Sequence, residues 1–140
     1  MSAISCWTFA PADGVPEPVA PYSHAVAYGD LLHVTGQMPI DPATGLLVPG
    51  GVAAQTDAVL GNLQRVLERC GSSLDAAVSV RAYLTSFDDY AEFNAAYERW
   101  FAPPLPARTC IGVTGLAVGA LVEIDLIAAR HGTVTRAVAD

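Results

Sequence analysis

The chain has 140 residues, and its 14 acidic residues outnumber its 7 basic residues, which gives a formal net charge of −7. All of the basic residues are arginine. This charge argues against a nucleic-acid partner, because contacts from Lys and Arg to phosphate supply most of the affinity for nucleic acid. The absence of lysine excludes chemistry through a lysine Schiff base, including the usual attachment of pyridoxal phosphate. We expect no cofactor.

The composition also indicates the cellular compartment and the kinds of ligand to expect. No apolar run reaches about 18 residues, the length that spans a bilayer, and the first residues lack the basic start of a secretory signal. The three cysteines, Cys6, Cys70 and Cys110, have wide and irregular spacings. Such spacings fit neither a disulfide framework nor a zinc site. We therefore expect a cytoplasmic protein with no metal and no membrane partner.

The chain length and the distribution of proline predict one domain with two flanking segments. Residues 1–20 are rich in proline and alanine, and we interpret them as an N-terminal arm. The single domain is predicted over residues 21–130, and residues 131–140 form a C-terminal tail without periodicity. The domain begins with two short apolar segments, 25–28 and 31–36, which flank Gly-Asp and predict a β-hairpin.

The middle of the chain predicts a helix followed by a strand. Apolar residues recur at helical spacing from Val52 to Cys70. Gly71 follows, where a residue in the left-handed conformation commonly ends a helix. Over residues 78–85 apolar and polar residues alternate, as they do in a strand with one buried face.

A second helix and two more strands complete the domain. Ser86 and Asp89 resemble a capping box at the start of this helix. The helix carries an aromatic stripe that comprises Tyr90, Phe93, Tyr97, Trp100 and Phe101. Residues 107–114 and 120–128 are predicted strands, and the second is apolar enough to lie at the centre of a sheet. The order β-β-α-β-α-β-β predicts an α+β fold.

Four residues interrupt the patterns around them and are candidates for chemistry. Arg108 begins a strand after a proline-rich loop, and Cys110 shares its strand face. Glu123 lies within the apolar last strand, and Asn94 lies beside the aromatic stripe. Each also has a structural explanation: a surface ion pair for Arg108, a solvent-facing strand position shared with Asp125 for Glu123, a small apolar filler for Cys110, and a backbone hydrogen bond for Asn94. The three histidines have no partners at ligand spacing, and we assign them no catalytic role.

In combination, several segments resemble the RidA/YjgF family, also known as the endoribonuclease L-PSP family. These segments are PYSHA at 21–25, VTGQMPIDPATG at 34–45, QT at 55–56, NL at 62–63, FNAAY at 93–97, PARTCI at 106–111 and LVEI at 121–124. The resemblance implies a chorismate-mutase-like fold, with a mixed sheet, both helices on one face and the last strand inserted into the middle of the sheet. It also implies a homotrimer with its sites between subunits.

The activity that the resemblance implies is hydrolysis of 2-imino or 2-enamino acids, of the 2-aminoacrylate and 2-iminopropanoate type, to 2-keto acids and ammonia. The motifs place its functional positions at Tyr22, Thr35, Gly36, Asn94, Arg108, Cys110 and Glu123. Arg108 would bind the substrate carboxylate bidentately. Glu123, with a pKa raised by partial burial, would deprotonate the attacking water. Tyr22 and Thr35 would orient the substrate or pass a proton, and Cys110 would act through its backbone carbonyl.

Departures from the family pattern leave the substrate side chain open. His24 stands where members commonly have Gln, Thr35 stands where they have Ser, and residues 115–119 lack the Pro-Lys or Pro-Asp of many members. One alternative is a specialised enzyme on the same scaffold, such as an aminomuconate deaminase or an enzyme of secondary metabolism. Another is a non-catalytic trimer that binds small molecules. The net charge argues against a third reading as a ribonuclease.

Overall fold

The computed structural model describes residues 3–130 and 137–139, and it confirms the predicted α+β class. The sheet contains β1 (Ile4–Trp7), β2 (Ala25–Tyr28), β3 (Leu31–Gln37), β4 (Ala77–Leu84), β5 (Ala107–Gly112) and β6 (Val122–Ala129), and the helices are α1 (Val52–Arg69) and α2 (Tyr90–Glu98). The predicted tail at 131–140 lies outside the described residues except for 137–139. In the described part of the chain, no helix combines the length and the apolar composition that crossing a membrane requires.

The six strands form one mixed sheet in the order β1-β2-β3-β6-β4-β5. β4 and β5 are parallel, and the other neighbouring pairs are antiparallel. The last strand therefore lies in the middle of the sheet, as the family resemblance implied. Alternate residues of β6 are fully or almost fully buried in the core against the helices, namely Val122, Ile124, Leu126 and Ala128. The residues between them, which include Glu123 and Asp125, lie on the opposite face of the sheet.

The predicted element order lacked the first strand. Residues 4–7, which we had interpreted as part of an arm, pair with β2 at the edge of the sheet. His24 then holds the segment that follows β1, because its Nδ1 accepts the N–H of Phe9 at 2.9 Å and its Nε2 donates to the carbonyl of Pro16 at 2.8 Å. These two bonds require the neutral ring protonated on Nε2. Burial favours the same state by lowering the pKa of His24 below its ordinary value.

The first helix begins and ends within one residue of its predicted limits, whereas α2 ends at Glu98, before Trp100 and Phe101 of the predicted aromatic stripe. After α1, the N–H of Gly71 bonds to the carbonyl of Glu68 and that of Ser72 to the carbonyl of Leu67. This is a Schellman motif, and Gly71 adopts the left-handed conformation that it needs, with φ of 76°. Before α2, the predicted capping box is wrong in detail. The Ser86 hydroxyl accepts the N–H of Asp88 and caps a 3-10 turn that leads into α2.

Candidate active site

Arg108 lies on the helix-bearing face of the sheet, inside an aromatic cage formed by Tyr90, Phe93 and Tyr97. It pairs in parallel register with Val80, which is fully buried beneath the helices, so both side chains point to that face. The guanidinium carbon lies 4.8 Å from the ring centroid of Tyr97, 5.5 Å from that of Phe93 and 5.9 Å from that of Tyr90. These distances are within the range of cation–π attraction.

The charge of Arg108 is not neutralised within the described part of the chain. The three ion pairs found there involve Arg69, Arg81 and Arg99, so a surface ion pair does not explain Arg108. Among the described residues, its guanidinium donates one hydrogen bond, from Nη2 to the neutral hydroxyl of Tyr90 at 3.2 Å. The cation is therefore available to a carboxylate from outside the chain.

A cavity of about 280 Å³ opens beside Arg108. It is lined by Arg108 together with Asn94, Tyr97, Glu98, Phe101, Leu105 and Pro106. The Oδ1 atom of Asn94 is buried without a partner among the described residues, so this atom does not make the backbone hydrogen bond that we considered for Asn94. Most buried acceptors do have a partner, so this atom calls for an explanation.

Cys110 follows Arg108 on the same face of β5, and its side chain packs against the core. Burial raises the pKa of the Cys110 thiol, while the charge of Arg108 opposes that effect. A thiol with a raised pKa is a poor nucleophile at neutral pH. The side chain therefore acts as a small apolar filler. We call Asn94, Arg108 and Cys110 the arginine group.

The other predicted residues form a second set around an irregularity in β3. The register between β3 and β6 shifts between Val34 and Gln37, so Thr35 and Gly36 lie in a bulge. The hydroxyl of Thr35 donates to the carbonyl of Ser23 at 2.6 Å. This bond places Thr35 beside the segment that carries Tyr22.

Tyr22 is itself anchored within that segment. Its hydroxyl accepts the N–H of Val19 at 3.1 Å, and its ring meets the ring of His24 edge-on, with centroids 6.3 Å apart. We call Tyr22, Thr35, Gly36 and Glu123 the glutamate group.

The carboxylate of Glu123 lies directly over Gly36. A Cβ added to Gly36 would come within 2.6 Å of its Oε2, so only glycine leaves this carboxylate where it is. Burial raises the pKa of Glu123, and the negative charge of Asp125 raises it further. Asp125 accepts hydrogen bonds from Arg81 Nε at 2.7 Å and from the hydroxyl of Tyr83 at 2.8 Å. Glu123 therefore shares its face with Asp125, as expected, but it is half-buried, and its raised pKa makes its carboxylate a better proton acceptor than that of an exposed glutamate.

The arginine group and the glutamate group lie on opposite faces of the sheet. Glu123 pairs with Tyr83, whereas Arg108 pairs with Val80, and positions an odd number of residues apart on β4 point to opposite faces. Within residues 3–130 and 137–139, no hydrogen bond or ion pair joins the arginine group to the glutamate group. One chain therefore does not bring all seven predicted residues together.

The sequence patterns predicted neither the aromatic cage nor the role of Asp125. The stripe on α2 showed that Tyr90 and Tyr97 share a helix face, but only the docking of α2 over β5 reveals that Arg108 lies among them. The described residues contain no cluster of three or more potential metal ligands.

Known proteins resemble this chain in both sequence and fold. A family model described as endoribonuclease L-PSP matches residues 13–130. A RutC family protein of Pyrococcus abyssi is 40% identical over 116 residues, which cover 83% of this chain and 91% of the relative. The crystal structure of RidA from an Antarctic Psychrobacter species matches with a TM-score of 0.81 and 34% identity, over 84% of this chain and 94% of that one. The structure of E. coli TdcF with bound serine matches with a TM-score of 0.80 and 28% identity, over 85% of this chain and 95% of that one. This chain belongs to the endoribonuclease L-PSP family, also known as the RidA/YjgF family.

Proposed function

We propose that the protein hydrolyses reactive 2-imino and 2-enamino acids, of the 2-aminoacrylate and 2-iminopropanoate type, to 2-keto acids and ammonia without a cofactor. The observation that carries the proposal is the Arg108 cation, which lies beside a cavity with no carboxylate partner in the described part of the chain. A substrate carboxylate would fill that role. The related TdcF holds serine, which also carries a carboxylate. The three cysteines are free thiols, and we place the activity in the cytoplasm.

The reaction requires a correctly positioned substrate and one general base. Arg108 binds the carboxylate, and Glu123 takes a proton from a water molecule, whose oxygen attacks the imine carbon. The nitrogen takes up the proton from Glu123, which gives a tetrahedral intermediate with a hydroxyl and an amino group. The C–N bond then breaks as the amino group takes up a second proton and leaves as ammonia, and the hydroxyl loses its proton to become the keto oxygen. Asn94 and the Cys110 carbonyl contact the substrate in this scheme, and Tyr22 and Thr35 orient it. A positioned general base contributes about 10²–10⁴-fold to such a step.

We also propose that the active unit is a homotrimer with one site at each interface between subunits. The separation of the two groups on opposite faces supports this arrangement. The arginine group of one subunit would meet the glutamate group of its neighbour, and a closed ring of copies would repeat the same contact.

The arginines do not support a nucleic-acid site. Arg69, Arg81 and Arg99 are engaged in ion pairs within the chain. Arg65 donates to the carbonyl of Gly14, and Arg130 lies over the ring of Trp7. These contacts occupy groups that an RNA groove would need for phosphate, in a chain whose net charge is −7.

A competition assay tests the deaminase proposal. A serine/threonine dehydratase generates 2-iminopropanoate or 2-iminobutanoate in the presence of semicarbazide, which competes with hydrolysis for the imine. We expect the protein to reduce semicarbazone formation, and Arg108→Ala to abolish this effect. Arg69→Ala is the matched control, because it removes an exposed arginine whose contact to Asp13 is 3.8 Å long. An inactive parent protein would contradict the proposal and favour a specialised substrate or a binding role.

Subunit complementation tests the shared site. Arg108→Ala and Glu123→Gln are each expected to be inactive alone. Suppose that each site takes Arg108 from one subunit and Glu123 from the next. In trimers reassembled from an equal mixture, each of these two residues is then intact with a chance of about one half. About one quarter of the sites have both residues, so the mixture should regain about one quarter of the parent activity. No recovery, in mixtures shown to exchange subunits, would contradict a site shared between copies.

A further inference from the structure

We infer that Tyr90 is a positioning residue for Arg108: its hydroxyl fixes the orientation of the guanidinium, and through it the affinity for the substrate carboxylate. This inference rests on the proposed function of Arg108 and goes beyond it by naming the residue that orients the cation. Tyr90 lies outside the arginine group and outside the group of residues that line the cavity.

The cage restricts where the guanidinium lies, and the Tyr90 hydroxyl determines how it is turned. The cation–π contacts with the rings of Tyr97 and Phe93, at 4.8 Å and 5.5 Å, do not fix the rotation of the planar guanidinium within its own plane. The hydrogen bond from Nη2 to the Tyr90 oxygen removes that freedom. A carboxylate is bound best by two parallel N–H groups of the guanidinium, so the rotation of the guanidinium determines whether both groups can donate to the substrate.

A phenol is suited to this task because it is uncharged. An acidic residue at the same place would orient Arg108 but would also neutralise it, and the substrate carboxylate would then have to displace it. Tyr90 occupies one N–H of the guanidinium and leaves the charge and the remaining donors to the ligand.

The ring of Tyr90 packs against the ring of a neighbouring residue, Phe87. The two rings meet edge-on, with centroids 5.2 Å apart and an interplanar angle of 71°. The ring of Phe87 in turn lies over Gly112, where an added Cβ would come within 3.2 Å of its Cε2. The missing side chain at Gly112 therefore leaves room for Phe87, and Phe87 limits the movement of Tyr90.

Tyr90→Phe separates the hydroxyl from the ring. The substitution keeps the edge-on contact and the cation–π contact, and it removes only the acceptor of the bond from Arg108. With 2-iminobutanoate generated in situ, we expect KM to rise about three- to tenfold, as for the loss of one typical hydrogen bond, and kcat to change by less than about twofold. Tyr28→Phe is the matched control, because Tyr28 is 60% exposed on β2 and lies on the opposite face of the sheet.

Two further measurements separate positioning from a structural role. Calorimetric titration with 2-oxobutanoate, a keto acid with the same carboxylate, should show a similar three- to tenfold weakening by Tyr90→Phe, about what one hydrogen bond supplies. In the Arg108→Lys background, which keeps the charge but not the planar guanidinium, Tyr90→Phe should change the Kd for 2-oxobutanoate by less than about twofold, because the hydroxyl acts only by orienting the guanidinium.

The outcomes distinguish this inference from the proposed function. If the parent binds 2-oxobutanoate with the expected pattern but does not turn over imines, the deaminase proposal fails and the role of Tyr90 stands. If the parent turns over imines and Tyr90→Phe matches it in KM and Kd, the role of Tyr90 is refuted alone. An effect of Tyr90→Phe that persists in the Arg108→Lys background, or a parent that binds no keto acid, also refutes it.

Discussion

Replacing Gly36 by alanine tests whether the position of the Glu123 carboxylate limits turnover. The added Cβ would lie 2.6 Å from Oε2 and 2.9 Å from Cδ of Glu123. Non-bonded carbon atoms approach no closer than about 3.5 Å without repulsion, so the carboxylate carbon must move by roughly 0.6 Å or more. A misplacement of about 1 Å at a reacting group costs up to about 10²-fold. We therefore expect Gly36→Ala to lower kcat/KM by about 10- to 100-fold.

The fold should tolerate this substitution. Gly36 has no left-handed φ, so alanine can adopt its backbone conformation. The atoms that the new methyl meets are the end of a flexible side chain, which can move aside. We expect the free energy of unfolding to change by less than about 1 kcal/mol. Gly115→Ala is the matched control, because a Cβ at Gly115 meets no atom within 4 Å.

Ammonia release from 2-iminobutanoate measures the activity, and thermal unfolding measures the stability. A Gly36→Ala variant with the kcat/KM of the parent would refute the reasoning, because Glu123 would then function from a displaced position. A variant that lost activity together with its thermal transition would show a folding defect instead, and would leave no support for a positional effect.

Two titrations should have opposite effects on stability. Because burial raises the pKa of Glu123 above its ordinary 4.5, folding favours the protonated acid, and stability is lost as pH rises through the shifted pKa. Glu123→Gln should therefore raise Tm at pH 7.5 while lowering kcat/KM about 10²–10⁴-fold; a lower Tm with full activity would contradict both roles. Burial lowers the pKa of His24 below 6.5, so the stabilisation by the neutral His24 side chain is complete above pH 6.5. This stabilisation is lost as pH falls, by at most about 1.4 kcal/mol per pH unit. His24→Gln, whose amide can both accept and donate, should flatten that slope in urea titrations from pH 7.5 to 5, and an unchanged slope would assign it to other groups.

Elements with a strong local pattern could be predicted from the sequence. The first helix was expected to end at Cys70 and ends at Arg69, because a continuous apolar stripe and a following glycine mark both its face and its end. The strand at 4–7 was missed because it has only four residues, lies at the sheet edge and precedes a proline-rich segment. Its stability comes from pairing with β2, which no local pattern records.

In the candidate site too, some features could be predicted from the sequence and others could not. Arg108 and Glu123 could be singled out from the sequence, because Arg108 begins a strand after a proline-rich loop and Glu123 places a charge in an apolar strand. Their placement on opposite faces follows from the strand register, in which Arg108 pairs with Val80 and Glu123 with Tyr83. Register depends on partners distant in sequence, so single-strand patterns do not contain it.

The charges at the two groups are difficult to explain by folding alone. Arg108 has no ion-pair partner in the described part of the chain, although Glu98 lines the same cavity. Glu123 remains half-buried beside a second carboxylate, Asp125, and its raised pKa shows that the charged form is disfavoured there. A chain selected only for stability would pair the arginine or replace the glutamate with a neutral residue. Residues that break local rules without a structural gain are characteristic of functional sites, and both of these residues belong to the groups that the proposed trimer would bring together.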